Sequence, residues 1–404
     1  MKLFYSNRFE ILYHYFQKNL FQNQNPFFDR WVIVPSLAVK SWLTLNIATD
    51  LGIASGFRFY YLDEALSLLN RKNGAEYQNQ ITKLELSFII EKKLENKWHT
   101  FCSLDSEKQQ IWLPIIDYIQ KEGDILTKKG KKRIISISNK LAEIFFDYAM
   151  FGQNLTLEWE QTDYTVHWQA DLWKNIFDDE SKIPFYHLRS SVNIAENKEI
   201  HIIGLNYLSP LQYQFLLKAG STCQIYFYIL SPCPLYWDDI SNDFQDSKLL
   251  QFLRKKGIKQ LQEQALSSLL ENKNRLLANY GKLGKNFLSI MAQDEHEVVE
   301  KFVLPFNPQE LPFYEDFVRE DDYFDHLPIT ALSVIQMDLT LLINSLQRPK
   351  INLKVDDKSV QIHEVNSKLR EIEVVYDAIL QILDEDKSIK ANQITILAPN
   401  IQDY

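Results

Sequence analysis

Glycine is scarce in this sequence, 11 residues in 404, and proline adds only 13. So few of either leaves little room for the Gly/Ser-rich or Pro-rich linkers that separate freely moving modules. Cysteine is rarer still. Cys102, Cys223 and Cys233 are odd in number, scattered, and unmatched to histidines at metal-ligand spacing, which argues against a disulfide framework and against a zinc site. Apolar runs fall short of the roughly 20 residues a membrane span needs. The amino terminus, MKLFYSNRFE, lacks the charged head, long apolar middle and small-residue cleavage site of a secretory signal. No membrane partner is expected, and the chain is placed in the cytoplasm. Positive charge is in deficit too: 44 Lys and Arg against 53 Asp and Glu give a net charge of -9, which excludes a surface coated uniformly for nucleic acid and leaves room only for a local basic channel.

Aromatic residues are abundant, with 25 Phe and 20 Tyr, and the length exceeds the roughly 250 to 300 residues at which single cores stop growing. Several compact, aromatic-rich units are therefore expected. Residues 1–61 alternate between short apolar stretches (KLFYS, WVIV, FRFYY) and helical periods. Phe9, Leu12, Tyr15, Phe16 and Leu20 mark the first helix, and Leu43, Ile47 and Leu51 mark the second, which ends at Gly52. This order predicts an α/β fold with a parallel sheet covered by helices. Residues 62–190 change to long amphipathic helices such as ITKLELSFIIEKKLENKW and ISISNKLAEIFFDYAM, a helical insertion. The sheet pattern returns near residue 191 in EIHIIGLNYLSPLQYQFLLKAGSTCQIYFYILSP, with a Pro-started helix stopped at Gly220. Residues 240–345 read as loops and peripheral helices without a site. Residues 346–404 predict strand, helix (Ile372, Val375, Ile379, Leu383) and strand. A parallel sheet reached by crossovers would need a further covering helix, so the sequence reads as cut short of a longer chain.

VIVPSLAVKSW, residues 32–42, has the outline of a phosphate-binding loop, a strand running into a turn and then Lys-Ser at a helix start. In that frame Val34 and Val39 occupy the two glycine positions of G-x-x-x-x-G-K-[ST], and only Lys40 and Ser41 survive. Beta-branched residues resist the positive φ a phosphate nest requires, so Val34 to Ser41 is a degenerate loop and no bound cofactor is expected. Hydrolysis would also need a magnesium-holding carboxylate at a neighbouring strand end. IHIIG, IYFYIL and ITILAP run instead into Asn206, Ser231 and Asn400.

Other patterns carry less. NYGKLGKNF (279–287) has the wrong spacing for a phosphate loop and reads as a Gly-containing turn between helices with solvated lysines. TKKGKKR (Lys128, Lys129, Lys131, Lys132, Arg133) and LRKKGIK (253–259) are the densest basic clusters. They can neutralise phosphates, or be solvated turns between helices. Glu180 with Lys182, and Asp384, Glu385 and Asp386 with Lys387, have the local look of a metal-dependent nuclease, a grouping that chance also produces in an acidic chain. At the degenerate loop, Ser36, Lys40 and Ser41 can hold a phosphate, and Trp42 or Tyr61 can stack a base. Trp42 equally fits a core position beside Leu43 and Ile47.

KLFYSNRFEIL, VPSLAVKSWL with LGIA, IIGLNYLSP, SPCPLYWDDI, RLLANYGKLGKNF and SKLREIEVVYDAIL occur in an order and spacing similar to the RecC family, the gamma chains of exodeoxyribonuclease V, the RecBCD helicase-nuclease. The resemblance implies a superfamily 1 helicase-like, RecA-like domain with decayed ATPase motifs (1–61 and 191–345), a helical insertion (62–190) and the start of a second RecA-like domain (346–404). It implies channels for single strands at a fork, and scanning for the Chi sequence. Partners would be RecB-like and RecD-like subunits, which use the ATP and magnesium. The family's Chi-reading positions fall on VPSLAVKSWL and NKLAEIFFDYAMFG. Acidic character persists there at Glu143 and Asp147, while Pro35, Leu37, Ser41, Phe146 and Gly152 replace polar or charged residues, which leaves open a different target or none. Three functions follow: a non-catalytic strand-channel part of a repair enzyme, an active ATP-dependent helicase or exonuclease, or a protein scaffold that never touches DNA. ATP hydrolysis or DNA cleavage by the chain separates the first two. Salt-sensitive single-strand binding separates the third.

Overall fold

Residues 2–60 fold in the predicted alternation. Strand β1 (Lys2–Ser6), helix α1 (Phe9–Gln22), strand β2 (Asp29–Ile33), helix α2 (Leu37–Leu51) and strand β3 (Arg58–Tyr60) follow in turn. The computed structural model describes residues 1–22, 29–69, 81–96, 98, 106–120, 125–162, 167–177, 183–185, 188, 198–234, 237, 240–241, 243–255, 273–317 and 323–404. Cys102, the Glu180 and Lys182 pair, and the side chains of the basic stretch 253–259 lie outside the described residues. Helix α1 buries Leu12, Tyr13, Phe16 and Leu20, residues three or four apart on one stripe. Helix α2 buries only Leu43 and Ile47, and Leu51 is 47% exposed. Each i+4 step advances 40° beyond a full turn, so Leu51 has drifted about 80° round from Leu43. Gly52 ends the helix at φ 78, a left-handed cap that glycine adopts without steric cost.

Helix α3 (Leu62–Leu69) packs Ala65, Leu66 and Leu69 against the sheet. Helices α4 (Lys83–Asn96), α5 (Ser106–Ile119), α6 (Lys128–Phe151), α7 (Gln153–Gln161) and α8 (Trp168–Ile176) follow it. They share a separate core in which Ile90, Ile115, Leu141, Phe145 and Trp173 meet. Helix α6 starts earlier than its apolar period predicts. The basic stretch read as a turn forms its first turns, because the Thr127 side chain accepts from the Gly130 amide.

Strand β4 (Lys198–Ile203), helix α9 (Pro210–Ala219) and strand β5 (Gln224–Leu230) reproduce the second predicted unit. Ser209 and Gln212 form a reciprocal capping box around Pro210. Beyond it come helix α10 (Asp243–Lys255), α11 (Arg275–Tyr280) and α12 (Lys282–Met291). The reading of this region as loops and peripheral helices fails at Glu297–Glu300, strand β6, which pairs with β1. Strands β7 (Val303–Leu304) and β8 (Tyr323–Phe324) pair separately, and helix α13 (Ala331–Thr340) packs beside them with Phe306, Tyr314 and Val334 in one cluster.

The main sheet runs β3-β2-β4-β5-β1-β6, with every pairing parallel. Helices α1 and α2 cover one face, where Phe4, Val32, Ile203 and Tyr228 meet Leu12, Phe16, Leu43 and Ile47. Helices α3, α9 and α12 cover the other, around Leu3, Ile33, Ile202 and Phe227. Of the closing strand-helix-strand unit only the helix forms, α14 (Lys368–Glu385). Residues 359–365 and 394–398 run beside it without ladder partners, and Ile362 and Leu397 are at least 90% exposed. A parallel strand needs a neighbour as well as an apolar pattern, and neither stretch finds one. No described helix is long and apolar enough to cross a membrane.

Candidate functional site

The strand order locates the site before any side chain does. Connections leaving β1 and β2 run towards β3, while those leaving β3, β4 and β5 run the opposite way and place their helices on the opposite face. Direction therefore reverses between the neighbours β5 and β1, and again between β2 and its neighbours, so the turns after β1 and β2 both stand at a switch point. Open α/β sheets bind ligands at such a switch point, outside the carboxyl ends of the strands. One of these turns is Ser6-Asn7-Arg8, which sequence reasoning passed over for the turn after β2.

This turn is occupied by the chain's own distant residues. The Asn7 amide group donates from Nδ2 to the Val303 carbonyl at 2.8 Å and accepts from the Val303 amide at 3.0 Å. Arg8 reaches Asp325 at 2.9 Å, and the buried Ser6 hydroxyl accepts from the Arg8 amide. The backbone amides of Ser231 and Lys301 close onto the carbonyls of Ser6 and Tyr5. What remains is a cavity of about 130 Å³ lined by Asn7, Arg8, Pro232 and Thr340 among others, below the roughly 300 Å³ at which ligand pockets begin.

One predicted absence needs correction. Strand β6 ends on a carboxylate, Glu300, beside β1. Its register partner is Tyr5, so it shares the Tyr5 face and lines a cavity of about 230 Å³ next to α12, away from α1. Burial first, and the Glu300 charge second, push the Tyr5 hydroxyl up to about 12.

The β2–α2 turn is short: Val34, Pro35 and Ser36 alone separate Ile33 from the helix. Val34 is buried and donates to the Tyr60 carbonyl, which ties the turn to the end of β3. The Ser36 hydroxyl accepts from the Val39 amide at 3.4 Å and is the helix cap. Because α2 begins at Leu37, Lys40 and Ser41 stand one turn inside the helix, both exposed. A phosphate loop would need a wrapped backbone ahead of that lysine, and this path has no residues for it. The Lys40 ammonium lies 5.7 Å from the centre of the Phe59 ring. Trp42 is half-buried between Phe9 and Tyr13, with ring centres 5.1 and 5.3 Å away. Tyr61, just past β3 on the same carboxyl edge, is exposed.

On α6, Glu143 pairs with Lys140 at 2.8 Å, and this ammonium holds its carboxyl below the usual range. Exposed Asp147 lies near Tyr207, which follows β4, so this end of α6 also meets the carboxyl edge. The basic cluster lies at the other end of the helix, about 28 Å from Asp147 at ~1.5 Å per residue. Lys128, Lys129, Lys131 and Lys132 are exposed there, against the sense of the helix dipole. Arg133 instead donates to the Tyr118 and Ile119 carbonyls and stops α5.

The lysine turn at 279–287 does join two helices. A side chain at Gly281 would fall 2.5 Å from the Leu277 carbonyl and 2.7 Å from Trp237, so packing fixes this glycine. Lys285 is not solvated as expected, since it donates to the Ile240 carbonyl at 2.9 Å. The carboxylates near residue 385 diverge: Glu385 pairs with Lys358, Asp384 with Lys387, and Asp386 with Ser388.

A family model described as RecC, N-terminal domain, matches residues 1–329. The whole chain aligns with RecBCD enzyme subunit RecC of Escherichia coli (strain K12) at 23% identity, covering 37% of that protein. It aligns with the subunit of Haemophilus influenzae at 21% over 38% of its length. For the protein of the same name in Mycolicibacterium smegmatis, 94% of the chain aligns at 18% identity over 31% of its length. The chain thus spans about a third of the length of the curated relatives it matches. With four-fifths of its residues on that amino-terminal model, the chain belongs to the RecC family.

Proposed function

We propose that this chain is a non-catalytic, helicase-like part of a RecC-type subunit in recombinational DNA repair. In this reading its parallel sheet is a RecA-like one whose nucleotide crevice has been closed by its own residues. The paired hydrogen bonds between Asn7 and Val303 carry the reading, because they fill the switch-point turn after β1, where a phosphate would otherwise have room. ATP and magnesium belong in this reading to RecB-like and RecD-like partners. The carboxyl edge from Ser36 and Lys40 past Tyr61 to Asp147 contacts a single strand leaving a fork, with a Chi-like sequence as the recognised element. The relatives carry the name of a RecBCD subunit, which supports these partners.

Assays on the full chain test this. ATP hydrolysis stimulated by single-stranded DNA, and magnesium-dependent cleavage of linear DNA, are both expected at background. Turnover in either would make the chain an active enzyme. Salt-sensitive binding of a single strand, weakened in Lys40→Ala, is expected. Its complete absence would leave a protein scaffold.

A further inference from the structure

A second feature, far in sequence from the β2–α2 turn, has the composition of a binding groove. Residues 311–314 and 348–354 enclose a cavity of about 540 Å³, within the range that holds small organic ligands. Its floor includes Phe313, Ile329 and Ile351, and its charged lining residues are Arg348, Lys350 and Lys354, with no carboxylate among them. That balance runs against a chain in which acids outnumber bases by 53 to 44.

The groove is also braced. Buried Asp338 accepts from Tyr314 at 2.8 Å and from Arg348 Nε at 2.9 Å, which fixes the arginine and the aromatic wall with one carboxylate. Lys350 and Lys354 are exposed, and neither forms an ion pair among the described residues. An aromatic and aliphatic floor takes a flat apolar group, and a cationic rim takes an anion attached to it. Bases stack on such floors without regard to sequence, while their phosphates track the cations.

We propose that this groove binds a segment of single-stranded nucleic acid, with a base against Phe313 and phosphates at Lys350 and Lys354. The proposal rests on the strand-contact reading and gives it a second address, built from residues other than those of the Lys40 turn.

The test uses the full chain and a thymidine oligonucleotide beside an abasic strand of equal length, with binding read by fluorescence anisotropy at several salt concentrations. The double variant Lys350→Glu/Lys354→Glu should bind the thymidine strand about tenfold more weakly, with a salt slope shallower by about 1.4, the value for two phosphates on a single strand. Phe313→Ala should lose about tenfold for thymidine and little for the abasic strand. Phe313→Leu keeps an apolar side chain and should lose nearly as much, which separates stacking from folding. Unaltered thymidine binding in the lysine variant overturns the groove and leaves the strand-contact reading standing. Absence of salt-dependent binding to either strand overturns both. Binding of a polyglutamate peptide as tightly as the thymidine strand, lost in the same variants, assigns the groove to acidic protein and overturns the proposal.

Discussion

Two strand-to-helix turns leave the same edge of the same sheet, and they have opposite fates. After β2 the chain turns in three residues, caps its helix with Ser36 and leaves Lys40 and Ser41 exposed. After β1 it turns just as tightly, but Asn7 and Arg8 are tied to Val303 and Asp325. The open turn has the residues that a phosphate-loop pattern selects. The closed turn has the tighter ties to the rest of the chain. Both turns stand where neighbouring connections reverse, so local structure separates them: the turn after β2 has no residues to wrap a phosphate, and the turn after β1 is filled by the protein's own packing.

The comparison breaks if the two turns respond alike to mutation. Asn7→Ala removes both partners of the Val303 backbone and should cost about 2–3 kcal/mol, because buried donors and acceptors left unmade are expensive. Ser36→Ala removes only a cap and should cost about 1 kcal/mol. Thermal melts of the two variants side by side check the order, and equal losses would mean that the β1 turn is not specially held. Arg8→Ala breaks a partly exposed ion pair, so it should cost no more than ~1 kcal/mol and lose most of its effect in high salt. Lys40→Ala should leave the melting temperature unaltered, since its side chain is exposed.

Acid probes the same sheet face from within, because α1 packs Phe16 against His201 with ring centres 5.6 Å apart. That imidazole is fully buried, stacked on Tyr226 at 4.9 Å, with Nδ1 3.0 Å from the Tyr228 hydroxyl. Burial is the largest influence on it and lowers its pKa, despite the neighbouring Glu199. The unfolded chain therefore binds the proton more readily. The stabilisation is complete above the unfolded value of about 6.5 and is lost as pH falls towards the lower folded value. Melting temperature should drop between pH 7.5 and 5.5, and His201→Gln should flatten that dependence.

Much of the framework was legible. Short apolar stretches bounded by Pro210, Gly52 and Gly220 marked β1 to β5 and the helices between them. Strand β6 was not, because Glu297-Val-Val-Glu300 lies at the sheet edge with Val298 half-exposed, and an edge strand flanked by charge reads like a loop. The reverse error occurred near residues 362 and 396, where apolar patterns found no partner strand. At the site, Ser36 and Lys40 were visible as a local pattern. Asn7 and Val303 were not, since the two are separated by 296 positions and only the strand order brings them together.

Titration of the full chain with magnesium and ATP, followed by the shift in melting temperature, tests the closed crevice most directly. A site with a Kd of about 10 μM would stabilise the fold by about 2.7 kcal/mol at about 1 mM nucleotide. No shift is expected. A saturable shift that disappears in Asn7→Ala or Arg8→Ala would place a nucleotide at the very turn described as filled, and would contradict the account.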